Sequence, residues 1–466
     1  MMRGNWVETE LDKACGIYDH LRKPINSKER KKRIEGKKKS ELYPYYGATG
    51  QVGFIDDYLT DGEYVLIGED GAPFLDYTKD IAYMINGKTW VNNHAHILLS
   101  KFNNKFLLHY LNQFNFYGFV SGTTRLKLTQ GSLKNIPVRI APLPEQRAIV
   151  AKIEKLFSDL DNGIANLKAA KAKLDIYRQA LLKKAFEGEL TKEWREKNSA
   201  PSVSTSEKKG NLPEGWQWVT IDEFLYDTKK GITTGPFGTS LKKNEHATKG
   251  IPVLGIENIG EAIFKMPNKI FVTPEKAGSL QNFRVIENDI IISRSGTVGE
   301  ICSVPKYMEG SLISTNLIKV RLNLKKISPK FFVYLFHGGN VREQVKELCK
   351  GSTRVFLNQR ILKSLRFPFC DIQEQHAVVA AIESRLSVCD KLAESIDQSL
   401  EKSEALRQSI LKKAFTGNLL SQAEVEACRQ EADWEPADKL LKRIQKDKAV
   451  GAKNATTGKI RKANNP

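Results

Sequence analysis

Cysteine is scarce in this chain of 466 residues, and its six cysteines form no Cys-x-x-Cys pair. This argues against a zinc site and against a disulfide framework. No run of 18 or more apolar residues occurs, so no membrane span is expected. The N-terminal Met-Met-Arg-Gly-Asn-Trp lacks an apolar signal core, and a cytoplasmic protein is the simplest interpretation.

Motifs of catalysis are also missing. The sequence has no Gly-x-x-x-x-Gly-Lys-Ser/Thr loop for ATP, and no Asn/Asp-Pro-Pro-Tyr/Phe stretch with which amino-methyltransferases hold a target base. His94 and His96 offer two metal ligands, but no third ligand stands at a telling spacing. Gly47, Gly50 and Gly53 lack the Gly-x-Gly start of a phosphate loop and are interpreted as turns. The sequence therefore supports no catalytic site.

The net charge of +19 suggests a polyanionic partner, but most of it is concentrated in two stretches. Residues 21–40 hold ten Lys/Arg against two Glu, and residues 439–462 hold nine against one Asp. Each stretch contributes +8, so together they supply +16 of the +19. The rest of the chain is nearly balanced, and a basic stretch is as compatible with a solvated segment as with a binding site.

The chain contains an internal duplication. Residues 122–190 align with 351–419 without a gap at an offset of 229, and 26 of the 69 pairs are identical. Upstream, the domain bodies align at an offset of 225, which places Asp70-Gly-Ala72 on Ser295-Gly-Thr297. A period this long is not a solenoid repeat. It predicts two copies of a domain followed by a helix, with a shared scaffold and different loops.

Each repeat contains an apolar seam spaced alternately four and three residues apart, which predicts a coiled coil in which the two helices pair with each other. Two amphipathic helices that pack on their own domains are the alternative. The first seam is Ile149, Ile153, Leu156, Leu160, Gly163, Leu167, Ala170, Leu174, Tyr177 and Leu181. The second is Val378, Ile382, Arg385, Cys389, Leu392, Ile396, Ser399, Ser403, Leu406 and Ile410.

Strand-like runs separated by Gly, Asn and Asp turns fill the first domain at 64–67, 81–85 and 95–99, and 105–112 predicts a short helix. A basic loop at 28–39 precedes the Tyr-rich stretch 43–50. Aromatic and hydroxyl groups beside Lys and Arg suit a DNA groove reader, although tyrosines near glycines are equally ordinary core and turn residues.

In the first repeat a predicted helix begins at Pro-Leu-Pro-Glu145-Gln146 and ends in the motif Lys-Lys-Ala-Phe-x-Gly-x-Leu. The second repeat has the same closing motif and the same Glu-Gln pair, Glu374-Gln375. There the pair follows Asp371-Ile-Gln373 instead of Pro-Leu-Pro. Leu-Pro-x-Gly-Trp216 opens the second domain. Together these features resemble the specificity subunit of type I restriction-modification systems, over nearly the whole chain. The first domain departs from the family by beginning at Asn5-Trp6 and by its basic insert.

The resemblance implies an α/β (α+β) fold with two pseudo-symmetric target recognition domains, separated by two long helices that pair as an antiparallel coiled coil. It implies these segments: recognition domain 1 (1–141), helical spacer 1 (142–195), linker (196–211), recognition domain 2 (212–369), helical spacer 2 (370–420) and basic tail (421–466). Each domain would read one half of a bipartite double-stranded DNA target.

Two modification and two restriction subunits are the partners that the resemblance implies. The modification subunits would bring S-adenosylmethionine and methylate a flipped adenine in each half-site. The restriction subunits would add ATP-driven translocation and cleavage, with Mg²⁺. This chain would recognise the DNA target and serve as the scaffold for the other subunits, with no cofactor or metal of its own. That agrees with the missing motifs.

Candidate DNA-contacting residues lie in loops or outside the apolar pattern. If Arg354 reads a base, replacing it by Ala should weaken binding to cognate DNA by about 1 to 3 kcal/mol. The structural alternative is that the Thr-Arg pair caps a turn and binds a carboxylate. The duplicated candidates are Thr124/Thr353, Arg125/Arg354 and Gln130/Gln359; those expected to make base-specific contacts are Tyr45, Tyr46, Thr49, Asn92 and Asn93 in the first domain and Lys242, Lys243, Arg294 and Asn316 in the second.

Two other functions remain open from the sequence. A stand-alone architectural DNA binder or scaffold would bind in a salt-sensitive way with little sequence preference. A nuclease or methyltransferase with its own site would need the isolated chain to bind a metal or S-adenosylmethionine.

Overall fold

The computed structural model describes residues 5–76, 78–198, 212–236, 240–260, 262–266, 269–349 and 356–449. The chain divides into two compact units, one of residues 1–167 and 397–466 and one of 168–396. Each unit therefore contains one domain and half of each long helix. Among the described residues, no helix is long and apolar enough to span a membrane.

The first repeat runs from a mixed domain into a helix of 44 residues. Its elements are β1 Val7–Glu10, α1 Leu11–Ala14, β2 Cys15–Ile17, α2 Ser27–Ile34, β3 Tyr43–Gly47, β4 Gly50–Ile55, β5 Thr60–Asp61, β6 Tyr64–Gly68, β7 Ala82–Ile85, β8 Lys88–Val91, β9 Ala95–Ser100, α3 Asn104–Gln113, α4 Gln130–Lys134, β10 Pro137–Ile140 and α5 Leu143–Phe186.

The second repeat follows the same plan and ends in a second helix of 44 residues. Its elements are α6 Lys192–Asn198, β11 Gln217–Val219, β12 Ile232–Thr234, β13 Ile251–Leu254, β14 Ile270–Val272, α7 Pro274–Ser279, β15 Ile290–Ser293, β16 Ile301–Ser303, β17 Leu312–Ile313, β18 Leu317–Val320, α8 Pro329–His337, α9 Gly339–Leu348, α10 Gln359–Ser364, β19 Phe367–Phe369, α11 Ile372–Phe415 and α12 Gln422–Arg429.

The two domains repeat one sheet topology. A four-stranded antiparallel sheet has the order β2-β9-β6-β7 in the first domain and β12-β18-β15-β16 in the second. The central strands are apolar on both faces and fully buried, at residues 65–67 and 290–292, so they form the core of each domain. The three strand-like runs and the short helix predicted in the first domain are confirmed as β6, β7, β9 and α3.

A second sheet also repeats. In the first domain β3 pairs antiparallel with β4 and parallel with β8, and in the second β13 pairs antiparallel with β14 and parallel with β17. The ends of each domain are joined by a two-stranded pair, β1 with β10 and β11 with β19. The duplication seen in the sequence is therefore a duplication of topology.

The long helices α5 and α11 pair antiparallel, as predicted. In one unit the start of α5 packs on the end of α11, with the guanidinium of Arg407 paired to the carboxylate of Asp161. In the other unit the end of α5 packs on the start of α11, where Arg178 pairs with Asp390 at 2.5 Å. The two ion pairs are the same pair at the offset of 229, so each unit repeats the helix contacts of the other.

The Glu-Gln pair that opens each helix ties the helix to its own domain. The Gln146 side chain donates to the Ala141 carbonyl (2.7 Å) and accepts from the Asn103 N–H (3.1 Å). Gln375 makes the matching bonds to the Cys370 carbonyl (2.9 Å) and the Ser328 N–H (2.9 Å). Both glutamines are fully buried, and their bonds fix the direction in which each helix leaves its domain.

The neighbouring glutamates have different partners in the two repeats. The Glu145 carboxylate accepts from the Trp6 indole N–H at 2.9 Å. Glu374 instead accepts from the Thr191 hydroxyl at 2.7 Å and pairs with Arg195, and both partners follow the end of α5. The same buried acid therefore anchors a different piece of chain in each repeat.

The Ala-Phe of each closing motif inserts into the domain of the other repeat. The Phe415 ring lies 5.1 Å from Phe106 and 5.2 Å from Tyr110, both in α3. Phe186, at the end of α5, lies 5.4 Å from Phe331 in α8. Each domain core is therefore completed by the end of the helix that the other repeat supplies, which explains why the motif occurs twice.

The predicted seam is only partly correct. Gly163, Ala170 and Tyr177 are exposed, whereas Ile164 and Arg178 are half-buried. The prediction uses a strict period of 3.5 residues, but a helix advances 3.6 residues per turn, so at these three places the contact falls one residue later. Leu167, Leu174 and Leu181 are half-buried or buried as predicted. On α11 the same correction applies to Arg385, Leu392 and Leu406, of which the first is exposed and the other two are 50% exposed.

The predicted C-terminal tail is folded over part of its length. Helix α12 and a helical segment at 437–449 bury Val425, Cys428, Leu440 and Ile444 against the core of the first unit. Lys152 of α5 pairs with Glu424 at 2.7 Å. The first part of the basic stretch therefore packs against the first unit. Residues 450–466 lie outside the described residues.

Replacing Phe415 by Ala should destabilise the first unit by about 3 to 5 kcal/mol, because it leaves a cavity among buried rings. The matched control is Leu406→Ala on the same helix, whose half-exposed side chain should cost about 0.5 kcal/mol or less. Urea unfolding of the full chain measures both values. Equal losses for the two variants would contradict the packing described.

Candidate nucleic-acid interface

The end of β6 in the first domain is held against two other segments. The Glu69 N–H donates to the His94 carbonyl (2.7 Å), and the Leu128 N–H donates to the Glu69 carbonyl (2.7 Å). The loop after β6, the turn before β9 and the segment before α4 therefore meet at one edge of the sheet. We call residues 69–72, 92–94 and 124–130 the strand-end cluster of the first domain.

The second domain holds the end of β15 with the same two bonds. The Arg294 N–H donates to the Asn316 carbonyl (2.9 Å), and the Leu357 N–H donates to the Arg294 carbonyl (2.9 Å). Residues 294–297, 314–316 and 356–359 form the strand-end cluster of the second domain. The backbone frame is thus shared, while the side chains that it carries differ.

Charged side chains cover the first cluster. Asp70 accepts from His94 Nδ1 at 2.6 Å and from the Arg125 guanidinium at 3.0 Å. Glu69 pairs with Arg22 and, at 3.2 Å, with Lys127. Cations and carboxylates alternate here, and the side chains of Arg125 and Lys127 remain 62% and 50% exposed.

A buried hub lies beneath this cluster. The ring of His96, which is fully buried, places Nδ1 2.7 Å from the Asp19 carboxylate and Nε2 2.9 Å from the Leu128 carbonyl. Asp19 also accepts from the Gln130 amide at 3.0 Å and pairs with Arg22 at 3.0 Å. Burial raises the pKa of the Asp19 carboxyl, but the hydrogen bond and charge of His96 and the charge of Arg22 outweigh it, so the pKa lies below its usual value.

The second cluster carries the neutral pair Ser295 and Asn316 where the first carries Asp70 and His94, and it carries Arg294 where the first carries Glu69. The Ser295 hydroxyl donates to the Asn316 amide oxygen at 2.8 Å. The Arg294 guanidinium lies 4.1 Å from the centre of the Phe356 ring, and partial burial lowers its pKa. The Gln359 amide donates to the Thr234 hydroxyl at 2.9 Å, so Gln359, like Gln130, ties this edge to the neighbouring strand region.

A family model for the type I restriction modification DNA specificity domain matches residues 16–169 and 213–402. A type I restriction enzyme specificity subunit from Escherichia coli, EcoBI, is 24% identical over an alignment of 476 positions that covers 98% of this chain and 95% of the relative. Another, from Haemophilus influenzae, is 27% identical over 417 positions, covering 87% and 94%.

This chain belongs to the type I restriction-modification specificity family. It is a specificity subunit, a non-catalytic DNA-recognition component of such a system.

Solved structures share its fold. A chain from a type I restriction-modification system whose assembly and conformational transition have been analysed has a TM-score of 0.62 at 17% identity, covering 90% of this chain and all of its own. The HsdS subunit of Thermoanaerobacter tengcongensis has a TM-score of 0.55 at 18% identity, covering 90% and 98%.

The strand-end clusters of the specificity subunit bring together several residues that the sequence singled out. Thr353 and Arg354 lie outside the described residues. In the first domain Asn93, Thr124 and Arg125 are exposed, and Arg125 pairs with a carboxylate as the structural alternative anticipated. The candidates gathered in the clusters are Asn93, Thr124, Arg125, Gln130, Arg294, Asn316 and Gln359.

Other candidates have a structural role or lie elsewhere. Tyr45 is 4% exposed in the core beneath β3, and the Asn92 side chain, 7% exposed, accepts from the His94 N–H. Tyr46 stacks on Tyr83 with ring centres 5.8 Å apart. Thr49 lies in the β3–β4 turn, whose Ala48 carbonyl approaches the end of β6 at Gly68. Lys242 and Lys243 are exposed at a separate short 3₁₀ turn, residues 243–245.

The basic segment at 28–39 is not the loop that the sequence predicted, because residues 27–34 form helix α2. The Asn26 side chain accepts from the Glu29 N–H at 2.8 Å and so caps the helix. Arg30 lies 4.7 Å from the Tyr45 ring, and Arg33 lies 5.0 Å from the Trp90 ring. These two cations hold α2 on the small sheet, while Lys28, Lys31 and Lys32 face solvent.

The sequence predicts no DNA-binding role for Asp70, His94 and Ser295, which lie in the clusters. In the sequence His94 stands out only as a possible metal ligand, and the alignment of 70–72 with 295–297 indicates common scaffold. The alignment itself carries a signal for these positions, because Gly71 and Gly296 match while the residues before them, Asp70 and Ser295, are both polar and differ.

Replacing Asp19 by Asn should lower the free energy of unfolding of the full chain at pH 7, because His96 and Arg22 lose the carboxylate charge that they contact. Since the folded pKa of Asp19 lies below the unfolded value of about 3.9, its contribution is complete above pH ~4 and is lost as the pH falls through the folded value. Urea unfolding from pH 7 to pH 3 should therefore show the gap between wild type and variant closing below pH ~4. The control is Asp57→Asn, whose carboxylate is 59% exposed. If the difference in unfolding free energy between wild type and Asp19→Asn grew as the pH fell, the stabilising role assigned to Asp19 would be contradicted.

Proposed function

We propose that this specificity subunit reads a bipartite DNA target, with one half-site for each domain. The observation that carries the proposal is the repeated strand-end cluster, in which one backbone frame presents different side chains. A reader of two different short sequences needs this combination, because the frame positions the side chains and the side chains select the bases.

The chemistry of the clusters supports base readout. Arginine, asparagine, glutamine and histidine side chains can bond to base edges in the major groove. Arg125 and Asn93 offer such groups in the first domain, and Asn316 offers one in the second. The exposed lysines of α2 are suited to phosphate contacts, which position a protein on DNA without reading sequence.

We infer that the same chain scaffolds methyltransferase and restriction subunits, two of each, which carry S-adenosylmethionine, ATP and Mg²⁺ and perform the chemistry in the cytoplasm. Support comes from the helices, which leave apolar side chains unused by their own pairing. Tyr177, Val388 and Leu392 are 47%, 57% and 50% exposed in the second unit. Such side chains on a surface of paired helices suit contact with another protein.

Deleting the gene from its host should remove adenine methylation at one motif, made of two short half-sites around a fixed gap, and restoring the gene should return it. Single-molecule sequencing of genomic DNA measures this and gives the target in the same data. Methylation that is unchanged by deletion, or a motif without two separated halves, would contradict the proposal and favour the architectural alternative.

A further inference from the structure

Two pairs of side chains at the domain surface, of which Asn316 is exposed and the other three are partly exposed, occupy equivalent places in the two domains. Glu69 and Arg294 are the residues at the strand ends whose backbone makes the two repeated hydrogen bonds, and we call them the frame residues. Asp70 directly follows Glu69, and Ser295 directly follows Arg294. His94 and Asn316 are the residues whose carbonyls accept from those same frame residues. Equivalence therefore rests on backbone hydrogen bonds and not on side-chain likeness.

Both members of the pair change together between the domains, yet the bond between them remains. His94 Nδ1 and the Asp70 carboxylate are 2.6 Å apart, and the Ser295 hydroxyl and the Asn316 amide oxygen are 2.8 Å apart. A bonded pair holds each side chain in one orientation, so little conformational freedom is lost when it meets a ligand.

The two pairs present different groups outward. With Nδ1 engaged by Asp70, His94 keeps Nε2 for a ligand, and its side chain is 40% exposed. With its oxygen accepting from Ser295, the exposed Asn316 keeps its amide N–H groups, which can donate to a base acceptor. An imidazole nitrogen and an amide discriminate different base-pair edges in the major groove.

Backbone beside each pair is shaped alike. Gly71 and Gly296 have φ of +70° and +78°, a left-handed conformation that side chains other than glycine rarely adopt. A Cβ at Gly71 would stand 3.2 Å from Arg125 Nε, and one at Gly296 would stand 3.5 Å from Ile256 Cδ1. Both pairs therefore lie beside a glycine turn of the same backbone shape, against which a neighbouring side chain packs.

We propose that Asp70–His94 and Ser295–Asn316 are equivalent specificity-determining pairs, and that their difference helps to make the two half-sites different. This inference rests on the proposed function and deepens it, because it names positions that select base pairs. The residues around the pairs, including the Asp19–His96 hub, position them without selecting.

The test exchanges the pairs on the chromosome of the host, with sequencing of genomic methylation as the readout. One chain carries Asp70→Ser with His94→Asn, and the reciprocal chain carries Ser295→Asp with Asn316→His. Each exchange should change the accepted base at one or two positions of its own half-site and reduce methylation of the original half-site by roughly tenfold or more. The other half-site and the gap should stay as in wild type.

The control removes an exposed ion pair away from the clusters, by Lys105→Ala with Glu154→Ala, whose side chains are 49% and 46% exposed. This chain should keep the wild-type motif. If an exchanged chain melts early, Asp70→Asn and Asn316→Asp test the same positions without a change of size.

An exchanged chain that methylates the wild-type motif at the wild-type level overturns the inference. Loss of all methylation by variants that melt as wild type does the same, because the pairs are proposed to choose the base pair and not to permit activity. A wild-type chain that directs no bipartite motif would instead refute the proposed function, so the two failures are distinguishable.

Discussion

Burial of Phe186 and Phe415 is the interaction on which the rest of the structure depends. Each ring ends a long helix and packs among the rings of the domain that the other repeat supplies. A helix of one repeat therefore cannot complete its packing without the second repeat. The antiparallel pairing and the repeated Arg–Asp pairs follow from this exchange of helix ends. The buried Gln146 and Gln375 add a tie between each helix and its own domain, and the two kinds of contact together give each domain the same frame.

The fold was largely predictable because its main signals are local or repeated. Strands β6, β7 and β9 are short apolar runs between turn residues, and the gapless alignment of 122–190 with 351–419 already implied two domains and two paired helices. The details of the seam were not predictable from a strict heptad, because the helix period moves the contact from Gly163 to Ile164. Helix α2 was missed since its charge suggested a loop, whereas its cap and its cation–ring contacts require the folded small sheet.

The candidate interface was predictable in part for the same reason. Residues retained by the duplication, such as Gln130 and Gln359, occupy matching places at the strand ends. Side-chain type alone could not separate a reader from a core residue, so Tyr45 and Asn92 were chosen although both are buried. Asp70 and His94 meet only when three distant segments converge on one edge, and no spacing in the sequence records that meeting.

The measurement that tests the central claim most directly is cleavage of target DNA by iron-EDTA tethered to a single introduced cysteine, in the assembled complex. All six native cysteines are buried, so Thr124→Cys and Thr297→Cys, at exposed positions in the two clusters, allow selective attachment. If each strand-end cluster reads one half-site, the tether in the first domain should cleave only around one half-site and the tether in the second domain only around the other. Cleavage by both tethers at the same half-site, or at random positions along the DNA, would contradict the account.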